Sequence, residues 1–358
     1  MKKRKLSRRD IVQGLLKGST ALALGTLFAS SVRAAAPPAE AITPQLIEAA
    51  KKEGKVVWYT AIDLSVAEKI AGAFKEKFGV EVRVERTGAE RVFQRIGQEY
   101  ASNVHAVDIA NSSDAAHLLT WKRQDMLLPY VPEDVAKHYR PEHRDIDGTY
   151  AGFRATLSPM AYNTKLVKAE DAPTSFKDLL DPKWKGKIVK AHPGYSGTIL
   201  TATFEMVRDI GWDFYENLAK QNIMQVQSAT DPPKKLALGE RSVMADGTEY
   251  NIFLLKEAGQ PVEAIYPTEG TPFVIGPNGI FKAAPNPNAA KLFQNYCFTP
   301  EAQQIVIDAG GLRSLHAQVR EHPGRKPLAD IKLMKEDAEG AEQQSEAIKA
   351  CYQKIFRV

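Results

Sequence analysis

Beyond residue 42 the apolar positions switch repeatedly between two spacings. Residues 55–60 (KVVWYT) form a short apolar run that predicts a strand. Ala67, Ile70, Ala71, Phe74 and Phe78 then recur at the helical period and stop at Gly79. Val80, Val82 and Val84 alternate as in a half-buried strand. A helix is expected over about 90–101, a short strand over 107–110, and a further helix capped by Ser112-Ser113-Asp114. Ahead of these, Thr43-Pro44 opens a helix that Gly54 closes. Strand, helix, strand, helix, strand is the order of a parallel α/β sheet.

A second segment begins near residue 150. Strands are expected at 157–162, 186–190, 242–245, 262–266 and 279–281. Helices are expected at about 199–210, 233–238 and 250–258, with two more opening at Pro285 and Thr299. The tail, about 337–356, reads as an amphipathic helix. No repeat interrupts the pattern. A chain of 358 residues exceeds what one compact core holds, so two α/β lobes are expected.

The first 36 residues stand apart. A basic head carries Arg8-Arg9, a mainly Ala/Leu run covers 18–32, and Ala34-Ala35-Ala36 follows. This is the layout of an export signal, and the arginine pair suggests the Tat route. The apolar run is shorter than the ~20 residues that span a bilayer. A periplasmic working compartment is therefore expected. The formal charge of +5 includes eight basic residues and one acid in this segment, so the remainder carries −2. A near-neutral surface gives no reason to expect nucleic-acid or anionic-membrane partners. Cys297 and Cys351 are the only cysteines. An oxidising compartment permits a disulfide between them, and two separate thiols are equally compatible with the sequence.

Candidate chemistry gathers where strands hand over to helices. In a parallel sheet these loops face one crevice, and free N–H groups at helix starts suit an anion. The loops are Tyr59-Thr60-Ala61-Ile62-Asp63, Thr87-Gly88, Ser112-Ser113 and, in the second segment, Ser196-Gly197-Thr198. Ordinary helix capping accounts for any one of them alone. Ser196 lacks the glycine spacing of a nucleophile elbow, and His192 nearby has no assignable carboxylate partner. There is no P-loop, G-x-G-x-x-G, H-E-x-x-H or Cys/His metal spacing, which favours binding over catalysis and predicts no cofactor.

In this order the segments resemble an extracellular solute-binding protein of a bacterial ABC importer, in the branch holding ferric-iron, thiamine and sugar-phosphate binders. The resemblance rests on Gly54-Lys55-Val56-Val57-Trp58-Tyr59-Thr60, Gln98-Glu99 before Val107-Asp108-Ile109, Tyr162-Asn163-Thr164 and the stretch from Asp178 to Lys187. Leu238-Gly239-Glu240, Tyr266-Pro267-Thr268-Glu269-Gly270 and Pro285-Asn286-Pro287-Asn288-Ala289-Ala290 complete it. It implies a monomer with one lobe over 37–155 and 276–358, the other over 156–275, and two crossings forming a hinge. Its partners would be an inner-membrane permease and ATPase. Ferric-iron members use a tandem tyrosine, and Glu249-Tyr250 falls where that pair would lie, after Asp246; Asp63 lies near where some carry His. Glu249, Tyr250 and Asp63 would make an oxygen site for iron with a synergistic anion. Alternatively the two carboxylates would hold hydroxyls or an amine while helix ends hold a phosphate. The organic reading is preferred. Arg313 is a candidate partner for a carboxylate or phosphate, and Tyr59 and Tyr162, at strand ends, are candidates to stack on a ligand. A secreted enzyme on the same scaffold, using His192 and Ser196, is the competing class.

Overall fold

Val56, Val57, Trp58 and Tyr59 are all buried in strand β1 (Lys55–Thr60), as a strand covered on both faces requires. The computed structural model describes residues 35–358. The expected export signal, apart from Ala35 and Ala36, lies outside the described residues. Around β1 the first sheet assembles with β2 (Glu81–Arg86), β3 (Ile109–Asn111), β4 (Ala151–Leu157) and β10 (Phe273–Ile280), in the order β2-β1-β3-β10-β4. β1 is parallel to β2 and β3, whereas β10 is antiparallel to β3 and β4. The second sheet holds β5 (Met160–Asn163), β6 (Ile188–Ala191), β7 (Met224–Val226), β8 (Val243–Met244) and β9 (Val262–Ile265), ordered β7-β6-β8-β5-β9. It too is mixed, because β5 runs antiparallel to both neighbours. The parallel sheet expected from strand–helix alternation is thus parallel only in part.

Each sheet has its own core. Trp58, Phe74, Phe153 and Phe293 meet in the first, with Trp58 and Phe74 packed edge-on against Phe293 at 5.2 and 5.0 Å between ring centres. Phe176, Trp184, Tyr215 and Val243 centre the second. Burying one such side chain is worth about 1.5–3 kcal/mol, so two separate clusters give two lobes.

The strand expected at 157–162 divides at Ser158-Pro159, and its halves enter different sheets. Pro159 has no N–H for a ladder, and the Ser158 N–H donates instead to Pro272 O at 3.0 Å. This is the first crossing between lobes, and residues 266–272 make the second. Thr156 and Leu157, with Phe273–Ile275, therefore sit in the first sheet rather than at the margins of the second.

The helices that position the site are α1 (Pro44–Glu53), α2 (Leu64–Phe78), α3 (Ala89–Ala101), α4 (Ala116–Arg123), α5 (Glu133–His138), α6 (Gly197–Ile210), α7 (Trp212–Ala219), α8 (Asp231–Ala237) and α9 (Glu249–Glu257). After them come α10 (Pro287–Cys297), α11 (Pro300–Gly310) and α12 (Ala338–Phe356). The tail helix, expected with the first lobe, lies against α6 and α7 of the second as well as α4 of the first. Ala341 and Ile348 pack on Leu200 and Phe204 of α6. Glu342 pairs with Arg123, and Lys349 with Glu90, on the other side. Amphipathic spacing gave the helix an apolar face but not the identity of its partner. Cys297 is buried in the first core and Cys351 is half-buried on α12; both are free thiols.

Candidate functional site

Four helix starts meet where the lobes face each other. Gly88 and Ala89 open α3, Ser196 caps α6 with its side chain accepting from Ile199 N, Thr230 precedes α8 and Thr248 precedes α9. Between them lies a cavity with about 460 Å³ of space unfilled by protein atoms, its mouth included. The first lobe contributes Ala61, Arg86, Gly88, Ala89, Ser113 and Arg154. The second contributes Tyr195, Ser196, Thr198, Ser228, Ala229, Thr230, Thr248 and Tyr250. The lining is almost all hydroxyl and backbone, with two arginines and no carboxylate.

Those arginines differ. Arg86 is exposed at the rim, its Nε donating to Ile62 O at 3.1 Å. Arg154 is 4% exposed, in the middle of an otherwise uncharged strand. Its Nη1 donates to Thr156 Oγ1 at 3.0 Å, and its Nε has no partner among the described residues. Burial pushes its pKa down, and Arg86 pushes the same way; Tyr250 and Asp114 only partly oppose them. A buried guanidinium without a carboxylate is costly. Room for it comes from Gly276, where a Cβ would stand 3.2 Å from Arg154 Cγ and Cζ. The Tyr250 phenol is also buried, and desolvation raises its pKa although the charge of Arg154 lowers it. Two cations, free amides and a ring of hydroxyls suit a compact oxyanion.

The lobes touch beside this cavity. Asp114 Oδ2, buried and without a hydrogen-bond partner among the described residues, lies against Gly197 at the start of α6. A Cβ at Gly197 would overlap that oxygen and stand 2.8 Å from Ser113 Oγ. Gly197→Ala is therefore expected to hold the lobes apart and to weaken ligand binding at least tenfold, with little change in unfolding midpoint. Titration calorimetry beside a denaturant melt checks both.

Of the residues expected at the site, Gly88, Ser113, Ser196, Thr198 and Tyr250 line the cavity, and Gly197 forms the contact at its edge. The others serve elsewhere. Thr87 is half-buried next to Gly88 and outside the lining. Tyr59 donates to Glu99 at 2.9 Å under the Arg95 guanidinium. Thr60 binds Asn111 Oδ1 and the Ile62 amide, and Asp63 caps α2. Ser112 Oγ is 2.9 Å from His117 Nδ1. Tyr162 packs in the second core. Asp246 is held 2.6 Å from fully buried Lys190 and accepts from the Ala191 amide.

Glu249 and Arg313 meet each other instead of the cavity. Arg313 Nη2 and Nε donate to the two Glu249 oxygens at 2.7 and 2.9 Å. Arg325 Nη2 and the Tyr266 hydroxyl, each at 2.5 Å, complete the carboxylate's partners. Burial alone would raise the pKa of Glu249, yet the Arg313 hydrogen bond and the two guanidinium charges bring it below the usual value. With its lone pairs so engaged, this carboxylate is not placed as an iron ligand beside Tyr250.

Arg86, Arg154, Ser228, Thr230 and Thr248 were missed. Arg154 carried a signal: a charged residue inside the run Ala-Gly-Phe-Arg-Ala-Thr-Leu has to be buried for a reason. Ser228 and Thr230 follow a three-residue strand, β7, too short to register as a period.

A model of the family described as bacterial extracellular solute-binding protein matches residues 69–333. An uncharacterised protein of Haemophilus influenzae is 26% identical over 84% of this chain and 90% of its own. Among solved structures, the periplasmic binding protein AfuA from Actinobacillus pleuropneumoniae, with fructose-6-phosphate bound, is 25% identical. It superposes with a TM-score of 0.78 over 85% of this chain and 99% of its own. Iron-bound HitA from Pseudomonas aeruginosa, at 21% identity, reaches 0.75 over 84% of this chain and 99% of its own and shares the fold.

Proposed function

The chain belongs to the bacterial extracellular solute-binding proteins, and on that premise we propose that it captures a phosphorylated or phosphonate organic anion in the periplasm. It would then deliver this cargo to the permease and ATPase of an ABC importer. The observation that carries the reading is a cavity holding Arg86 and Arg154 with no carboxylate among its lining residues. A phosphoryl group between them would accept from Arg154 Nε, from hydroxyls and from the amides at the starts of α3 and α6. Its charge would offset that of the two first-lobe cations as the second lobe shuts over them, so ligand and closure stabilise each other.

Ferric iron fits this lining less well. A hard trivalent ion takes anionic oxygens. The lining offers two phenols, Tyr195 and Tyr250, and no carboxylate, because Glu249 is committed to two arginines. The enzyme alternative has equally little support, since the His192 Nδ1 accepts from the Gly194 amide rather than activating Ser196. Calorimetry with fructose-6-phosphate, 2-aminoethylphosphonate and ferric citrate tests the proposal. At least one phosphorus compound should bind and be recovered unchanged, and ferric citrate should not compete. Tight ferric binding with phenolate colour, or steady conversion of the bound compound, would refute it.

A further inference from the structure

Away from the cleft, α5 carries Asp134 and His138 one helical turn apart, and His316 meets them from the segment after Arg313. His316 Nε2 lies 3.7 Å and His138 Nε2 3.9 Å from Asp134 Oδ1. One ligand atom from each residue falls within 4.8 Å of the other two. Tetrahedral zinc, with bonds of about 2.0–2.1 Å, separates its ligand atoms by about 3.3 Å. The two distances to Asp134 Oδ1 exceed that by a few tenths of an ångström, and the two imidazole nitrogens, within 4.8 Å of each other, would draw together by up to about 1.5 Å to complete three corners of such a site.

A second observation points to a ligand. His316 Nε2 is buried, in a residue 4% exposed, and has no hydrogen-bond partner among the described residues. The backbone that aims it is anchored: His316 N donates to Ser314 Oγ at 3.0 Å, and Ser314 Oγ donates to Gln303 Oε1 at 2.6 Å. Gln303 Nε2 in turn donates to Phe153 O in the first core. Asp134 and His138 keep 29% and 24% of their side chains exposed, which leaves an entry path and room for a water as fourth ligand.

We propose that Asp134, His138 and His316 bind a divalent transition-metal ion, with zinc as the fitting probe. The ion would fasten α5 to the loop whose Ala317 N–H already donates to His138 O. Two imidazoles and one carboxylate select zinc, nickel or copper over magnesium and calcium. Metal-free, His316 Nδ1 accepts from the Gln318 amide at 3.1 Å, so its ring proton sits on Nε2. On binding, the metal replaces that proton at Nε2. The ring then carries its one proton on Nδ1, and the Gln318 amide has to turn away.

Chelator-stripped protein titrated with zinc chloride tests this, by native mass spectrometry, by melting temperature and by amide NMR. One zinc should bind, raise the melting temperature and shift the Gln318 amide, whereas magnesium and calcium should do neither. Loss of an outer-shell partner alone weakens metal sites about 10–100-fold, so His138→Ala and Asp134→Asn should weaken zinc at least that much. Both positions are partly exposed, so these variants keep the fold, which circular dichroism verifies. No bound zinc, zinc binding undiminished in His138→Ala, or a Gln318 amide unmoved by bound zinc would each overturn the assignment. None of these results bears on the cleft.

Discussion

Arg154→Met is expected to weaken binding of the phosphorus ligand by about 30-fold to several thousand-fold, the largest effect of any single change in the cleft. Removing one member of a buried, hydrogen-bonded charge pair costs about 2–5 kcal/mol, and tenfold in affinity corresponds to about 1.4 kcal/mol. Methionine keeps most of the volume and removes the charge. It should also act on the ligand-free protein, in the opposite sense. In this structure, where Asp114 of the first lobe lies against Gly197 of the second, Arg154 is 4% exposed and its Nε has no partner among the described residues. Taking that charge away relieves the penalty for shutting without cargo. Small-angle X-ray scattering should therefore show a more compact ligand-free variant than ligand-free wild type. A guanidinium that merely supported the fold would give a less stable variant with no shift toward closure.

Glu249→Gln should have the largest effect on stability, about 3–5 kcal/mol, the cost of breaking a buried ion pair by removing one partner. Arg313, 2% exposed, would lose its bidentate acceptor and keep Glu321 as its carboxylate partner; Arg325 would lose its carboxylate. The sign of the pH dependence follows from the depressed pKa of Glu249. A lowered carboxylate pKa contributes stability that is present above its ordinary value of 4.5 and is lost as pH falls through the folded value. Urea midpoints of wild type and variant should thus differ most near neutrality and converge as pH falls through the depressed folded value. Ligand affinity should change far less than in Arg154→Met. A variant as stable as wild type that loses a ferric-phenolate band would instead restore the iron reading.

The α/β elements and their division between two lobes were legible, because period and length carry them. The α2 stripe of Ala67, Ile70, Phe74 and the tail helix over Ala338–Phe356 appeared where spacing put them. Pairing was less legible: nothing in Leu157–Tyr162 marks a change of sheet except Pro159. The site was half legible for a related reason. Helix-start logic found Gly88, Ser113, Ser196 and Thr198, since capping residues sit at helix starts whether or not a ligand binds there. The same logic could not separate them from Thr60 or Asp63, whose oxygens are used up locally. The ties of Glu249 to Arg313 and Arg325 were not legible, because those partners are 64 and 76 residues away in sequence. Arg154 was overlooked because a lone charge in a strand shows its burial only after the sheet is built.

Native mass spectrometry of the protein isolated from its own periplasm bears most directly on the cleft. The account predicts one bound organic molecule containing phosphorus, released intact on unfolding and missing from Arg154→Met. A bound ferric ion in its place, or a cargo with no phosphorus, would contradict it.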